Sequence, residues 1–455
     1  MKYSIYGKVP IPIQNLACTY IGRINQIRRY GKYFRKYLEL YLDSQWWEEE
    51  KLEGYRNGRI ANFINYCYKH VPYYTNLFNK FGIKYNNINE ISDISDTLPV
   101  LTKDTIKENF SDFVPINIEI GKTINQHTSG TTGSGLIFPM TIEALQEQHA
   151  IYWRARTNFG VDRKMLNGSF GGRLVVPSKQ NRPPFWRYNH FGNQILFSGY
   201  HINNKTIKFY VEELNKNEIK WLHGYPSILS LIASTMLENS LKLEYNVELI
   251  TVGSENLSNY QSILIQDVFG TKPKQYYGTA EATGGAFECE CGNLHLDEEY
   301  AAMELYSIGN NQYKILGTSF SNYAMPLIRY DTNDIVTVNQ EPCRCGRKSR
   351  TIKNIDGRDE DYITSKDGTK IGRIDHIFKD IVGIREAQIR QYVEGEIEIL
   401  IVKNKYYSTS QQRLLEKNID KYLGQIDFII KYVDKIRKTK SGKLRFVISE
   451  IVSKN

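Results

Sequence analysis

Between residues 120 and 300, short apolar runs alternate with longer amphipathic ones, and this alternation limits the folds open to the chain. Residues 173–178 (RLVVPS), 247–255 (VELITVGSE) and 273–278 (PKQYYG) have the length and composition of strands. Residues 226–241 (PSILSLIASTMLENSL) read as a helix entered at Pro226, with Ser227 as its cap. Strands and helices taken in turn predict an α/β sheet with ligand loops at strand ends.

The flanks differ from this middle. Residues 1–120 read as helical and irregular, with helical apolar spacing in 58–71 and Thr102 as an N-cap within 98–110. Residues 300–355 read mostly as strand. The tail from 361 reads β, β, α, β, a small α+β unit behind a boundary near 355–363 (IDGRDEDYI). A chain of 455 residues is too long for one simple core. The expected division is a large N-terminal domain, 1–357, with a helical lead-in over about 1–120, and a small mobile lid, 358–455.

Fifty-nine Lys and Arg against fifty Asp and Glu leave a net charge of +9. The basic residues are scattered, so no nucleic-acid stripe is expected, while the net field favours anionic small molecules. No run of about 18 apolar residues predicts a membrane span, and the N-terminus lacks a signal peptide's apolar stretch. A cytoplasmic protein is expected. The first ~50 residues, rich in Tyr and Arg and including Trp46 and Trp47, read as a packed helical extension or as a surface for a membrane or partner.

Residues 128–135 are Thr128, Ser129, Gly130, Thr131, Thr132, Gly133, Ser134 and Gly135. Glycines let backbone N–H groups approach an anion closely, and hydroxyls add donors without bulk. A polyphosphate is the fitting target. The loop is no Walker A motif, because Leu136 stands where the lysine would be.

With four later segments this loop resembles the phosphate loop of the adenylate-forming ligases. Tyr276-Tyr277-Gly278-Thr279-Ala280-Glu281-Ala282 is similar to the family's Tyr-Gly-x-x-Glu segment, which implies an adenine bed and a Mg²⁺ role for Glu281. Residues 329–335 (RYDTNDI) resemble the segment whose Asp bonds the ribose hydroxyls, which implies that role for Asp334. Asn333 stands in place of the family's Gly, and Asn tolerates the left-handed backbone. Arg358 matches an arginine near the nucleotide, and Glu360 stands where the hinge pivot is usually Asp or Lys. Residues 438–446 (KTKSGKLRF) resemble the final loop, which places Lys443 as the catalytic lysine.

Residues 70–78 and 98–110 narrow the resemblance to phenylacetate–CoA ligase and its relatives, and within these to the branch linked to surface-polysaccharide biosynthesis. The resemblance implies ATP and Mg²⁺, a small-molecule carboxylate that becomes an acyl-adenylate, and CoA as the usual acceptor. An amine or a sugar hydroxyl is the alternative acceptor; a non-catalytic nucleotide-binding scaffold is the rival of another class. It also implies that His223, Tyr225 and Pro226 border the acyl pocket, and that Gly253, Ser254 and Glu255 lie near adenine. Arg173, Trp186 and Arg187 are further candidates for recognising a polar or anionic substrate, with core and surface packing as the alternative for Trp186 and Arg187. His201 reads as a structural histidine. A homodimer is only the general expectation for soluble enzymes.

Six cysteines are present. Cys18 and Cys67 read as buried thiols. Cys289/Cys291 and Cys343/Cys345 form two C-x-C pairs, which in a reducing compartment suggest a closed structural Zn²⁺ site. His295 is the reserve ligand. The first pair follows Glu281 and the second follows Asp334, so zinc would tie two nucleotide loops together.

Overall fold

The computed structural model describes residues 6–127, 136–309, 311–358, 362–371, 374–378, 381, 383–424, 426–439 and 442–451. Its contacts divide the chain into two compact units. One comprises residues 1–24, 161–275 and 356–455; the other comprises 25–160 and 276–355.

In the first unit, strands Asn167–Phe170, Gln194–Phe197, Trp221–Gly224 and Leu249–Gly253 run parallel, and Trp186–Asn189 adds an antiparallel edge. Helices Ile207–Asn217, Pro226–Glu238 and Asn259–Phe269 connect or follow them. Their apolar faces share one core that includes Phe170, Phe197, Tyr210, Leu222, Ile232 and Ile250. The strand ends at Gly224 and Gly253 therefore open into the loops where such sheets bind ligands.

Two details depart from expectation. Residues 173–178 form no strand; the strand is Asn167–Phe170, just upstream. Gly171 and Gly172 end the extended run, and Pro177 has no N–H to give a ladder. The helix at 226 begins with Pro226 in its first turn and Tyr225 as the boundary residue, so Ser227 is not its cap. Proline's fixed φ suits that position, and the Ser227 N–H is used elsewhere, as described below.

The same unit also holds the tail, whose elements run in the expected β, β, α, β order: strands Ile384–Val393 and Glu396–Lys403, helix Thr409–Leu423 and strand Asp427–Tyr432. A fourth strand, Val447–Ser449, pairs parallel with Ile384–Val393. Ile389, Ile399, Leu415, Ile419 and Val447 form its core.

The second unit joins helices Lys32–Ser44, Glu49–His70 and Ile142–Asn158 to strands that include Ala301–Gly309, Gln312–Ser319 and Tyr330–Val338. Thr102 caps helix Lys103–Glu108 by accepting from the Thr105 N–H, as its sequence suggested. Two of its arginines are paired with buried carboxylates, which offsets the cost of burying charge. Arg154 bridges Asp297 and Glu299, and Arg59 meets Glu147 at 2.6 Å.

Candidate active site

The lysine loop is built on a tight turn. Thr439 N–H donates to the Lys443 carbonyl at 2.9 Å, Gly442 N–H to the Thr439 carbonyl at 2.9 Å, and Lys443 N–H to Thr439 Oγ1 at 3.0 Å. Gly442 lies at φ +81°, where a side chain is strained. A Cβ there would stand 2.5 Å from Gly172 Cα and 2.7 Å from the Tyr200 hydroxyl, so the turn is pressed against the 172 backbone. The Tyr200 hydroxyl in turn donates to the Gly172 carbonyl at 2.9 Å.

One residue onward, the Leu444 N–H donates to Glu255 Oε1 at 3.1 Å, and the Ser227 N–H donates to Glu255 Oε2 at 3.1 Å. One carboxylate thus joins the lysine loop to the first turn of helix Pro226–Glu238. Burial raises the Glu255 pKa; its bonds at Ser227 and Leu444 and the charge of Lys443 oppose that rise. The Lys443 ammonium lies 5.8 Å from the Tyr225 ring centre. Burial, with Glu255 adding, also raises the Tyr225 hydroxyl, and the exposed Arg173 works against it. Tyr225, expected at the acyl pocket, and Glu255, expected near adenine, thus both meet the loop of Lys443. Tyr200 and Gly172 complete the seat and carried no sequence signal of their own.

His223 turns Nδ1 toward the Thr251 carbonyl and hydroxyl, at 3.1 and 3.0 Å. Gly253 ends its strand, and Ser254 follows at φ +67°, turning the chain toward Glu255. Trp186 is a correction. It belongs to the unit's core, 6.0 Å from Phe197 centre to centre, because its strand places it on the packed face. Its neighbour Arg187 is fully buried and holds Gln14, Gln180 and the carbonyls of Pro184 and Trp186. His201 is structural, with Nδ1 2.7 Å from Ser198 Oγ and Nε2 3.2 Å from the Pro177 carbonyl.

In the other unit, strand Lys274–Gly278 carries Tyr276 and Tyr277. The Tyr277 hydroxyl donates to Asp334 Oδ2 at 2.7 Å, and the Tyr330 hydroxyl to Glu281 Oε1 at 3.3 Å. Thr279 Oγ1 accepts from the Thr283 N–H at 2.9 Å, shaping the turn after Gly278. Asn333 stands at φ +58°, the left-handed conformation its position demanded, so the turn before Asp334 survives without glycine. The Tyr276 hydroxyl donates to Asp297 at 3.0 Å. Burial pushes the Asp297 carboxyl up to about 7, with Arg154 opposing. Asp297 and Arg154 therefore hold Tyr276, a role hidden within the run HLDEEY, since burial of an acidic stretch cannot be read from composition.

Cys289, His295, Cys343 and Cys345 bring four donor atoms within 4.8 Å of one another. Cys345 Sγ is 3.2 Å from His295 Nε2, and Cys289 and Cys343 are 3.6 Å apart. Ser349 engages His295 Nδ1 at 3.1–3.2 Å, which leaves Nε2 facing the sulfurs. Three thiols and one imidazole fit a closed tetrahedral Zn²⁺ site. Among the described residues the clustered donors differ from the four expected cysteines, with His295 in the group and Cys291 outside it. Cys291 lies at the tip of a tight hairpin, next to Gly292 at φ +82°, and is exposed. His295 instead comes from strand Leu294–Leu296, which pairs with Gly285–Glu288 just before Cys289.

Thr128, Ser129, Gly130, Thr131, Thr132, Gly133 and Glu360 lie outside the described residues. The strands flanking the phosphate-type loop, Ile124–His127 and Ile137–Met140, pair antiparallel. Arg358 ends strand Thr351–Arg358.

Comparison with known proteins follows the same lines. Residues 363–450 match the CapK C-terminal domain family. The chain is 27% identical over 460 residues to Protein CapK of Staphylococcus aureus, covering 99% of this chain and all of that protein. It is 22% identical over 337 residues to the phenylacetate-coenzyme A ligase of Thermus thermophilus, covering 69% of this chain and 72% of that protein. A crystal structure of 2-hydroxyisobutyryl-CoA ligase in the postadenylation state shares the fold, with TM-score 0.68, 15% identity, and coverage of 87% and 89%. The resemblance to adenylate-forming ligases, to phenylacetate–CoA ligase among them and to the capsule-linked branch holds, as does the mixed α/β fold with a small C-terminal domain.

Proposed function

We propose that this chain activates a carboxylic acid with ATP and hands the acyl group to a thiol, with CoA as the acceptor. A carboxylate oxygen attacks the α-phosphorus of ATP, the bond to the β-phosphate oxygen breaks, and pyrophosphate leaves with the electron pair. Lys443 offsets the charge that develops on the α-phosphate and the incoming carboxylate. Asp334 accepts from the ribose hydroxyls, Tyr276 to Thr279 and Gly253 to Glu255 flank adenine, and Thr128 to Gly133 hold the phosphates. Glu281 would hold Mg²⁺, which supplies positive charge to the phosphates when bound. Arg358 lies near the nucleotide, and Glu360 is the pivot of the lid, 358–455, which swings away before the acceptor enters. His223, Tyr225 and Arg173 line the acid's pocket.

The observation that carries this reading is the seat of Lys443. A solvated basic run has no reason to press a glycine turn against Gly172 or to spend a buried carboxylate on the next residue's N–H. The same features oppose a non-catalytic scaffold, which needs none of Lys443, Glu281 and Asp334. The similarity to Protein CapK of Staphylococcus aureus supports the branch expected from sequence, with a place in surface-polysaccharide assembly, and there an amine or sugar hydroxyl is the second acceptor to test.

The test is carboxylate-dependent ATP–pyrophosphate exchange over aryl, amino, hydroxy and uronic acids. Exchange with one acid, lost in Lys443→Ala, establishes adenylation and names the substrate. ATP binding without exchange for any acid would turn the reading toward the scaffold.

A further inference from the structure

The helix Ile11–Arg29 packs with the wrong face outward. Its buried residues are Gln14 and Gly22, polar and small. Gln14 Oε1 accepts from Arg187 Nε at 2.7 Å, and Gly22 leaves room for Asn189, whose Oδ1 would lie 1.8 Å from a Cβ at that position. The opposite face carries Ile13, Leu16, Tyr20 and Ile27, exposed by 42%, 68%, 66% and 68%. Their spacing of three, four and seven residues keeps them on one stripe. Exposed Arg23 and Arg28 flank the stripe, and the Arg23 guanidinium lies 5.5 Å from the ring centre of Phe191, itself 52% exposed. An ordinary surface helix buries its apolar stripe, so this one is shaped for something beyond the chain.

Charge selects the occupant. Eight Lys and Arg precede Glu39, the first acidic residue, so nearly all of the chain's net charge of +9 falls in its first 38 residues. A second copy would present the same basic segment and repel it. A surface of anionic lipid headgroups attracts it and also accepts apolar side chains at its interface. Among the described residues no helix is long and apolar enough to cross a membrane, so the contact would be peripheral.

We propose that Ile11–Arg29 is a docking face for an anionic lipid surface, with Leu16, Tyr20 and Ile27 entering the interface and Arg23 and Arg28 meeting headgroups. This does not depend on the catalytic reading.

The experiment is flotation of the full chain with vesicles of phosphatidylcholine, with or without phosphatidylglycerol. Flotation is expected with phosphatidylglycerol only, and to weaken as salt is added. The triple variant Leu16→Gln, Tyr20→Gln, Ile27→Gln should bind on the order of tenfold or more weakly. Arg23→Gln with Arg28→Gln should lose roughly fivefold per charge. These charge changes touch only exposed side chains and serve independently if the triple variant does not fold. No flotation at low salt, or flotation indifferent to both variants, would overturn the proposal. So would self-association of the chain in solution that the triple variant abolishes, because a second copy would then own the face.

Discussion

The Leu444 N–H meets Glu255 Oε1 at 3.1 Å, one residue past the lysine proposed to act on ATP, while Ser227 occupies the other oxygen at the same distance. Glu255 therefore works as a positioning residue: it fixes where the Lys443 backbone sits, and with it the reach of the ammonium. Replacing it with Ala leaves two backbone donors without their acceptor, at about 1–3 kcal/mol each. Glu255→Ala is expected to slow ATP–pyrophosphate exchange by roughly ten- to a hundredfold, and Glu255→Gln, which keeps one oxygen, by less. Hydrogen exchange at the Leu444 amide gives a readout independent of the acid used. Protection that survives Glu255→Ala would refute the positioning role.

Gly442 makes a sharper case. Its φ of +81° and its approach to Gly172 both exclude a side chain, so Gly442→Ala cannot seat the turn without moving it. The left-handed backbone alone costs on the order of 1 kcal/mol, and the 2.5 Å clash adds to it. Exchange should fall nearly as far as in Lys443→Ala. The melting temperature should fall by only about 2–4 °C, because a cost of this size is small against a unit this large. Full activity in Gly442→Ala would mean that the seated turn plays no part in the reaction.

What was legible in the sequence follows from range. Local chemistry carried well: Thr102 caps its helix, Asn333 adopts the left-handed turn, and the β, β, α, β order of the tail stands. Apolar content alone misplaced a strand at 173–178, where two glycines and Pro177 break the extended run. Long-range pairing was out of reach. Nothing in the local sequence links Glu255 to Leu444, 189 residues away, or Tyr276 to Asp297. The C-x-C symmetry hid the histidine: Cys291 is exposed at a hairpin tip, while His295 on the neighbouring strand brings Nε2 within 3.2 Å of Cys345 Sγ.

His201 makes the fold of its unit sensitive to acid. Burial lowers its pKa and the charge of Arg187 adds to this, while the bond to the Pro177 carbonyl opposes it, so the neutral form is favoured in the fold. A folded pKa below the unfolded value, about 6.5, means that its stabilising contribution is present above pH ~6.5 and is lost as pH falls below it. The loss is at most about 1.4 kcal/mol per pH unit for this one proton. Melting temperature measured from pH ~7 to ~5 should decline less steeply in His201→Asn than in the parent. Identical slopes would remove His201 from the acid response.

Substitution separates two possible ligand sets at the Cys/His cluster. With Cys289, His295, Cys343 and Cys345 as ligands, protein prepared without chelator should hold one zinc per chain by elemental analysis. His295→Ala and Cys343→Ala should lose it, and Cys291→Ser should keep it; a four-cysteine site would reverse the results for His295 and Cys291. Closed zinc sites contribute folding free energy directly, so metal loss should lower the melting temperature by on the order of 10 °C. The effect should also reach the nucleotide. His295 lies on strand Leu294–Leu296, which pairs with Gly285–Glu288, and that strand pairs with the one carrying Tyr276 and Tyr277. Loosening the first strand loosens the support of the Tyr277–Asp334 bond, so ATP affinity should fall together with zinc content. Zinc-free protein with unchanged stability and unchanged ATP affinity would leave the four residues as reduced thiols and an ordinary histidine.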